Sequence, residues 1–173
     1  MNTSNETAVV TEKFRPLFEM YLSRAAGALE ALGWRVGDVQ FLRGSPGTVG
    51  PDYTRSVAGI TAKPTPALSD VFFPDAATYA PVSIMLTLET LSRPMEPSLH
   101  GFAMTVASHS AGATGEESRK PGQMKMVPAA ELDAGWRAFA DAFPPVHVVR
   151  AVREEALLGI AKLRNVRPRA AGR

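Results

Sequence analysis

Three histidines are the side chains best suited to proton transfer or metal binding near neutral pH, and their spacing limits what they can do. His100 precedes Gly101 in an expected turn, His109 ends an expected strand between Ser108 and Ser110, and His147 begins the expected last helix after Pro144, Pro145 and Val146. No two share a His-x-His or His-Glu-x-x-His spacing that would set two ligands on one face, so no metal site is expected. The chain has no Cys, hence no thiolate ligand, no disulfide and no cysteine nucleophile. His109 is the most suggestive of the three, as the rim of a pocket beside a polar loop that holds Glu116, Glu117, Arg119 and Lys120. Its neighbour Ser108 does not make a nucleophile pair with it, because adjacent strand residues point to opposite faces. No catalytic residue, cofactor-binding residue or metal ligand is assigned, and no cofactor is expected.

Two other patterns invite a functional reading. The run Arg43-Gly44-Ser45-Pro46-Gly47-Thr48-Val49-Gly50 resembles a phosphate cradle in composition. It lacks the GxxxxGK[ST] order and a following helix, so it reads as a hairpin loop. Arg43, Arg55 and Lys63 lie near Trp34, Phe41 and Tyr53, the mixture with which sheet proteins stack RNA bases. Asp38, Asp52 and Asp70 dilute that field, and core aromatics with solvated charges on the reverse face are the expected arrangement.

The elements that must position these residues follow from hydrophobic periodicity. Phe14, Leu17, Phe18, Tyr21, Leu22, Ala25, Leu29 and Leu32 recur at steps of three and four and predict a helix. Thr11 is its expected N-cap, Pro16 falls near its start, and Gly33 is its C′ residue. Residues 1–10, polar and without a basic stretch leading into an apolar run, are expected to be a flexible leader rather than a signal peptide. Period-two alternation predicts strands over 34–42, with Gly37 as a bulge, and over 53–62. Further strands are expected over 82–91 and 102–108, and a short one over 123–127. Residues 63–81, rich in Pro, read as an irregular connection, and 109–122 as a polar loop. Leu132, Trp136, Phe139 and Phe143 stripe one closing helix. After Pro144-Pro145, the positions Val149, Val152, Ala156, Ile160 and Leu163 stripe the last. The expected fold is α+β: an antiparallel sheet of four to five strands, with an N-terminal helix and two C-terminal helices packed on it. Residues 11–164 would form one domain, and 165–173 a basic tail.

Charge is split along the chain. Residues 1–155 hold 14 Lys and Arg against 17 Asp and Glu, whereas everything after Glu155 carries five cations and no acid. Lys162, Arg164, Arg167, Arg169 and Arg173 therefore raise the isoelectric point to about 9.1, and they are the expected contacts for an anion or nucleic acid. Val148, Leu157 and Leu158 widen the apolar stripe of the last helix beyond what one sheet face needs, and are the expected interaction surface. Methionines 85, 104, 124 and 126 add soft, adaptable side chains to the sheet. No stretch reaches the roughly 20 apolar residues of a membrane span, and a cytoplasmic setting is expected.

These features point to binding by a non-enzymatic, homo-oligomeric adaptor, assembly factor or chaperone-like subunit of a bacterial or phage complex, with a protein partner or a second copy. One alternative is a nucleic-acid accessory protein that uses the basic tail. Another is a small-molecule-binding or enzymatic domain with a pocket between sheet and helix, rimmed by His109.

Overall fold

A computed structural model of the protein describes residues 3–42, 54–68, 83–93, 99–109, 118–123 and 126–166. The first helix, α1 (Thr3–Glu30), leads into the short strands β1 (Trp34–Val36) and β2 (Gln40–Leu42). Three long strands follow: β3 (Thr54–Pro64), β4 (Ser83–Arg93) and β5 (Leu99–His109). Then come β6 (Ser118–Gln123), β7 (Val127–Pro128), a 3-10 turn (Ala129–Glu131), α2 (Leu132–Ala142) and α3 (Pro145–Val166). The expected α+β fold is what the structure has.

The strands form one antiparallel sheet in the order β1-β3-β4-β5-β6, with β2 extending the β1 edge and β7 pairing β5. Register assigns the faces. Ala58, Leu88 and Met104 lie side by side across three strands, as do Ile60, Leu86 and Val106. All six are almost fully buried. They face the helices: α1 lies over β1, β3 and β4, α2 over β5, and α3 over β4 and β5. Alternation along each strand thus puts one set of side chains into the core.

Gly37 marks the expected irregularity. Val36 pairs Ala62 and Gln40 pairs Gly59, so three residues of one chain segment oppose two of β3. That extra residue is a bulge, and it divides the single predicted strand into β1 and β2. Gly59 on β3 is demanded by close approach, since a Cβ there would stand 2.9 Å from the Leu86 carbonyl oxygen. Gly33 ends α1 at φ 89°, the left-handed conformation that favours glycine.

Three expectations need correction. α1 begins at Thr3, not at a Thr11 cap, so residues 3–10 are its first turns and Pro16 is an interior residue. An interior Pro removes one helix hydrogen bond and costs about 3 kcal/mol. Burial of Phe14, Phe18 and Leu22 on either side offsets that cost. The stretch 109–122, read as a loop, contains β6 from Ser118 onward. Pro121 is tolerated because β6 lies at the sheet edge, and a register shift accommodates it between Met104 and Val106 of β5. Third, His100 does not sit in a turn: it is a residue of β5, opposite Ser92, and is 1% exposed on the helix side.

The core is organised by aromatic rings. Phe102 of β5 meets Phe14 at 5.0 Å, Trp136 at 5.2 Å, Phe18 at 6.0 Å and Phe139 at 6.1 Å, centroid to centroid. Phe18 and Trp136 approach at 5.1 Å, closing a cluster shared by α1, α2 and the sheet. Most of these pairs are edge-on or tilted, the geometries that ring quadrupoles prefer. Outside the cluster, Lys13 and Asp133 join α1 to α2 at 2.9 Å. Both side chains are well exposed, so that ion pair contributes at most about 1 kcal/mol.

Tyr21 adds a polar tie inside this cluster that depends on pH. Its ring packs against Trp136, and its hydroxyl donates to the carbonyl oxygen of Phe143 at the end of α2. Burial pushes the phenol from 10.0 up to about 12. A folded-state pKa above the unfolded one gives stability that is complete below pH 10 and is lost as pH rises through 12. Tyr21→Phe should lower stability by about 1 kcal/mol at neutral pH, the worth of one hydrogen bond. It should also flatten the fall in stability across the pH 10–12 window, measured by denaturant unfolding. Equal slopes for parent and variant in that window would show that Tyr21 is not the source.

Candidate interaction surface

The last helix carries both the apolar and the charged residues singled out from the sequence, and its orientation decides which of them face outward. Val148, Val152, Glu155 and Ala156 are buried against the sheet and α1, each no more than 3% exposed. At about 100° per residue these positions occupy one side of the helix. The opposite side presents Val146, Arg150, Arg153, Glu154, Leu157 and Leu158 to solvent. Val146 is 67% exposed, Leu157 45% and Leu158 37%.

Two of the three expected surface residues, Leu157 and Leu158, therefore lie on one outward face. Val148 does not join them. It is fully buried, one turn before Val152, and belongs to the core. The sequence reading began the core stripe at Val149, which is only half-buried. Val146 takes the place of Val148 on the outer face, and it was missed because Pro144-Pro145 hid where the helix begins. A spacing signal was present: Val148, Val152 and Ala156 are each four apart.

Glu155 is the structural reason for this phase. Its Oε1 accepts a hydrogen bond from the Ser108 hydroxyl at 2.9 Å and from the Ser108 backbone N–H at 3.3 Å. Ser108 lies on the helix side of β5, in line with Val106 and Met104, as its pairing with Ile84 requires. The carboxylate thus pins α3 to the end of β5, and charge-assisted bonds of this kind are about twice as strong as neutral ones. Ser108 is committed to Glu155. His109 follows it at the end of β5, paired with Ser83.

The remaining sequence-predicted residues fall as follows. Lys162 and Arg164 are in the last turns of α3, which runs to Val166, past the expected domain end at residue 164. Arg167, Arg169 and Arg173 lie outside the described residues, as do Arg43, Tyr53 and the Gly-rich run. Trp34 is a core residue and Phe41 is half-buried beneath the Arg15 guanidinium, at 4.6 Å from its ring centre, so neither is an open stacking platform. Met104 is core and fully buried, while Met85 and Met126 are half-buried. On the reverse face of the sheet Glu89 is 6% exposed, between Val57 and Ala103 in the register. Among the described residues no group of three or more His, Asp or Glu could hold a metal ion. No helix among them is long and apolar enough to cross a membrane.

Compared with known proteins, the chain matches no family model, no curated protein and no solved structure.

Replacing Glu155 with Ala should leave the Ser108 donors without their buried acceptor and destabilise the fold by about 1–3 kcal/mol. Glu155→Gln, which retains an acceptor oxygen, should cost less. Denaturant unfolding of both variants checks the order, and equal losses would mean that volume, not the hydrogen bonds, holds α3 in place.

Proposed function

We propose that the protein works by binding another polypeptide through the outer face of α3, as a non-enzymatic adaptor, assembly or chaperone-like subunit in the cytoplasm. The observation that carries this reading is the exposure of Val146 and Leu157, large apolar side chains within roughly 20° of each other around the helix, with Leu158 on their flank. Single exposed apolar residues are ordinary on any surface, but a set aligned on one helix resembles the anchors by which helices dock. Arginines at 150 and 153 beside them suit an interface, where Arg is enriched for its planar donors and apolar stem.

The basic residues from Lys162 onward favour a second reading, contact with nucleic acid by the end of α3 and the chain beyond it. Such binding would weaken steeply with salt, by about 0.9 in log K per log salt for each phosphate neutralised on duplex DNA.

Purification of the tagged full chain from its own host separates the two, followed by light scattering and native mass spectrometry. A stoichiometric protein complex that falls apart in the Leu157→Ser/Leu158→Ser variant is the expected result. A chain that stays a free monomer in both forms, up to about 1 mM, would overturn the reading. Co-purified nucleic acid released at high salt, with no protein partner, would replace it with the second. The substitutions lie on solvent-exposed positions and should change stability by less than about 0.5 kcal/mol each.

A further inference from the structure

We infer that the partner of this α3 face is a second copy of the same chain, bound with the two α3 helices antiparallel and crossing near Val152. The inference rests on the proposal that the outer face of α3 binds polypeptide, and it identifies the occupant. A two-fold interface must be complementary to itself, since each contact between residue i and residue j occurs twice. The order of side chains along α3 meets that condition.

In an antiparallel pair centred at 152, position 150 of one helix is level with position 154 of the other. Arg150 then faces the partner's Glu154, and the contact repeats across the axis. Position 146 falls within about 1.5 Å, one residue's rise, of the partner's position 157. Val146 and Leu157, which lie within roughly 20° of each other around the helix, therefore pack against one another twice. Apolar meets apolar and cation meets anion in a single register. Arg153 stays on the flank of the stripe.

Helix direction is set by the charge beyond this face. Lys162 and Arg164 end α3, and Arg167, Arg169 and Arg173 follow. Antiparallel pairing places the two copies of Lys162 roughly 30 Å apart along the helix axes, at 1.5 Å per residue. That is about three times the screening length of 0.1 M salt, so the ten cations of the two ends do not oppose each other. A parallel pair would set them side by side. Antiparallel macrodipoles add to the same preference. A contact of three or four helical turns is at the small end of specific interfaces, so the dimer is concentration-dependent.

Analytical ultracentrifugation of the purified full chain tests this, from roughly 10 µM to 1 mM, the range where small interfaces self-associate. The parent should pass from monomer to dimer. Arg150→Glu and Glu154→Arg should each raise the dissociation constant at least about tenfold, because each sets two like-charge pairs across the axis. An equimolar mixture of the two variants should recover association, as the Arg150→Glu/Glu154→Arg double variant should. Leu157→Ser should weaken the dimer without touching charge, and circular dichroism checks that every variant is folded. A parent that stays monomeric overturns the inference, and so does a dimer indifferent to all three single changes. Loss in the single variants without recovery in the mixture overturns it too. These failures leave the broader proposal standing if the host-purified chain holds a different protein in stoichiometric amount.

Discussion

Packing of Phe102 between two helices is the constraint on which the rest of the molecule depends. This ring stands on the central part of β5 and touches Phe14 and Phe18 of α1 and Trp136 and Phe139 of α2. The two helices are 102 residues apart at their nearest ends, and the sheet lies between them in the chain. Both helices sit where they cover this apolar surface. Buried aromatic side chains of this size are worth about 3–5 kcal/mol each when truncated, against a total stability of only about 5–15 kcal/mol for a domain. The cluster is therefore large enough to decide the fold. It also explains how an interior Pro16 survives: the helix is held by what its two halves bury, rather than by its own hydrogen bonds.

Around that cluster, polar groups set directions that apolar burial alone leaves loose. Hydrophobic attraction has no preferred angle, whereas a hydrogen bond has one. The Tyr21 hydroxyl fixes the end of α2 against α1, through the carbonyl of Phe143. The Glu155 carboxylate fixes the rotation of α3 by gripping both donors of Ser108. Turning α3 by one residue would carry Glu155 off its donors and Val148 and Val152 out of the core. The outward position of Leu157 and Leu158 is thus a consequence of a buried polar contact on the opposite side of the same helix. Core and surface on α3 are two results of one rotational choice.

That link gives the outer face its character. Among the described residues, Val146, Leu157 and Leu158 stay exposed rather than joining the core. Alternation of these residues with Arg150 and Glu154 gives the face both shape and charge order, and it leads directly into the cationic end of the chain. The body of the molecule, acidic on balance, and the basic end meet at this helix.

How much of this was legible beforehand depends on the range of the interactions involved. Local patterns were enough for the three helices, the long strands, the Gly37 bulge and the α+β class. Period and turn chemistry act over a few residues, and each residue carries its own share of the signal. Helix ends were less legible: α1 starts eight residues before Thr11, because tertiary packing further along stabilises turns that propensity alone would not. β6 was hidden because its only reason to be extended is an edge of β5 some ten residues away across a register shift. His100 was misread as a turn residue because a neighbouring glycine outweighed, locally, a pairing with Ser92 that no short window contains. The α3 face was half-legible. Leu157 and Leu158 were recognisable as surplus apolar residues from spacing alone. Val148 was placed on the surface and turned out to be core, because the rotation of the helix is decided by Glu155 reaching Ser108, a contact across 47 residues. Local periodicity was sufficient for the α+β class, the core stretches of the three helices and the long strands. Tertiary structure alone decided which apolar residues of α3 face outward, because that depends on a directional bond between groups distant in the chain.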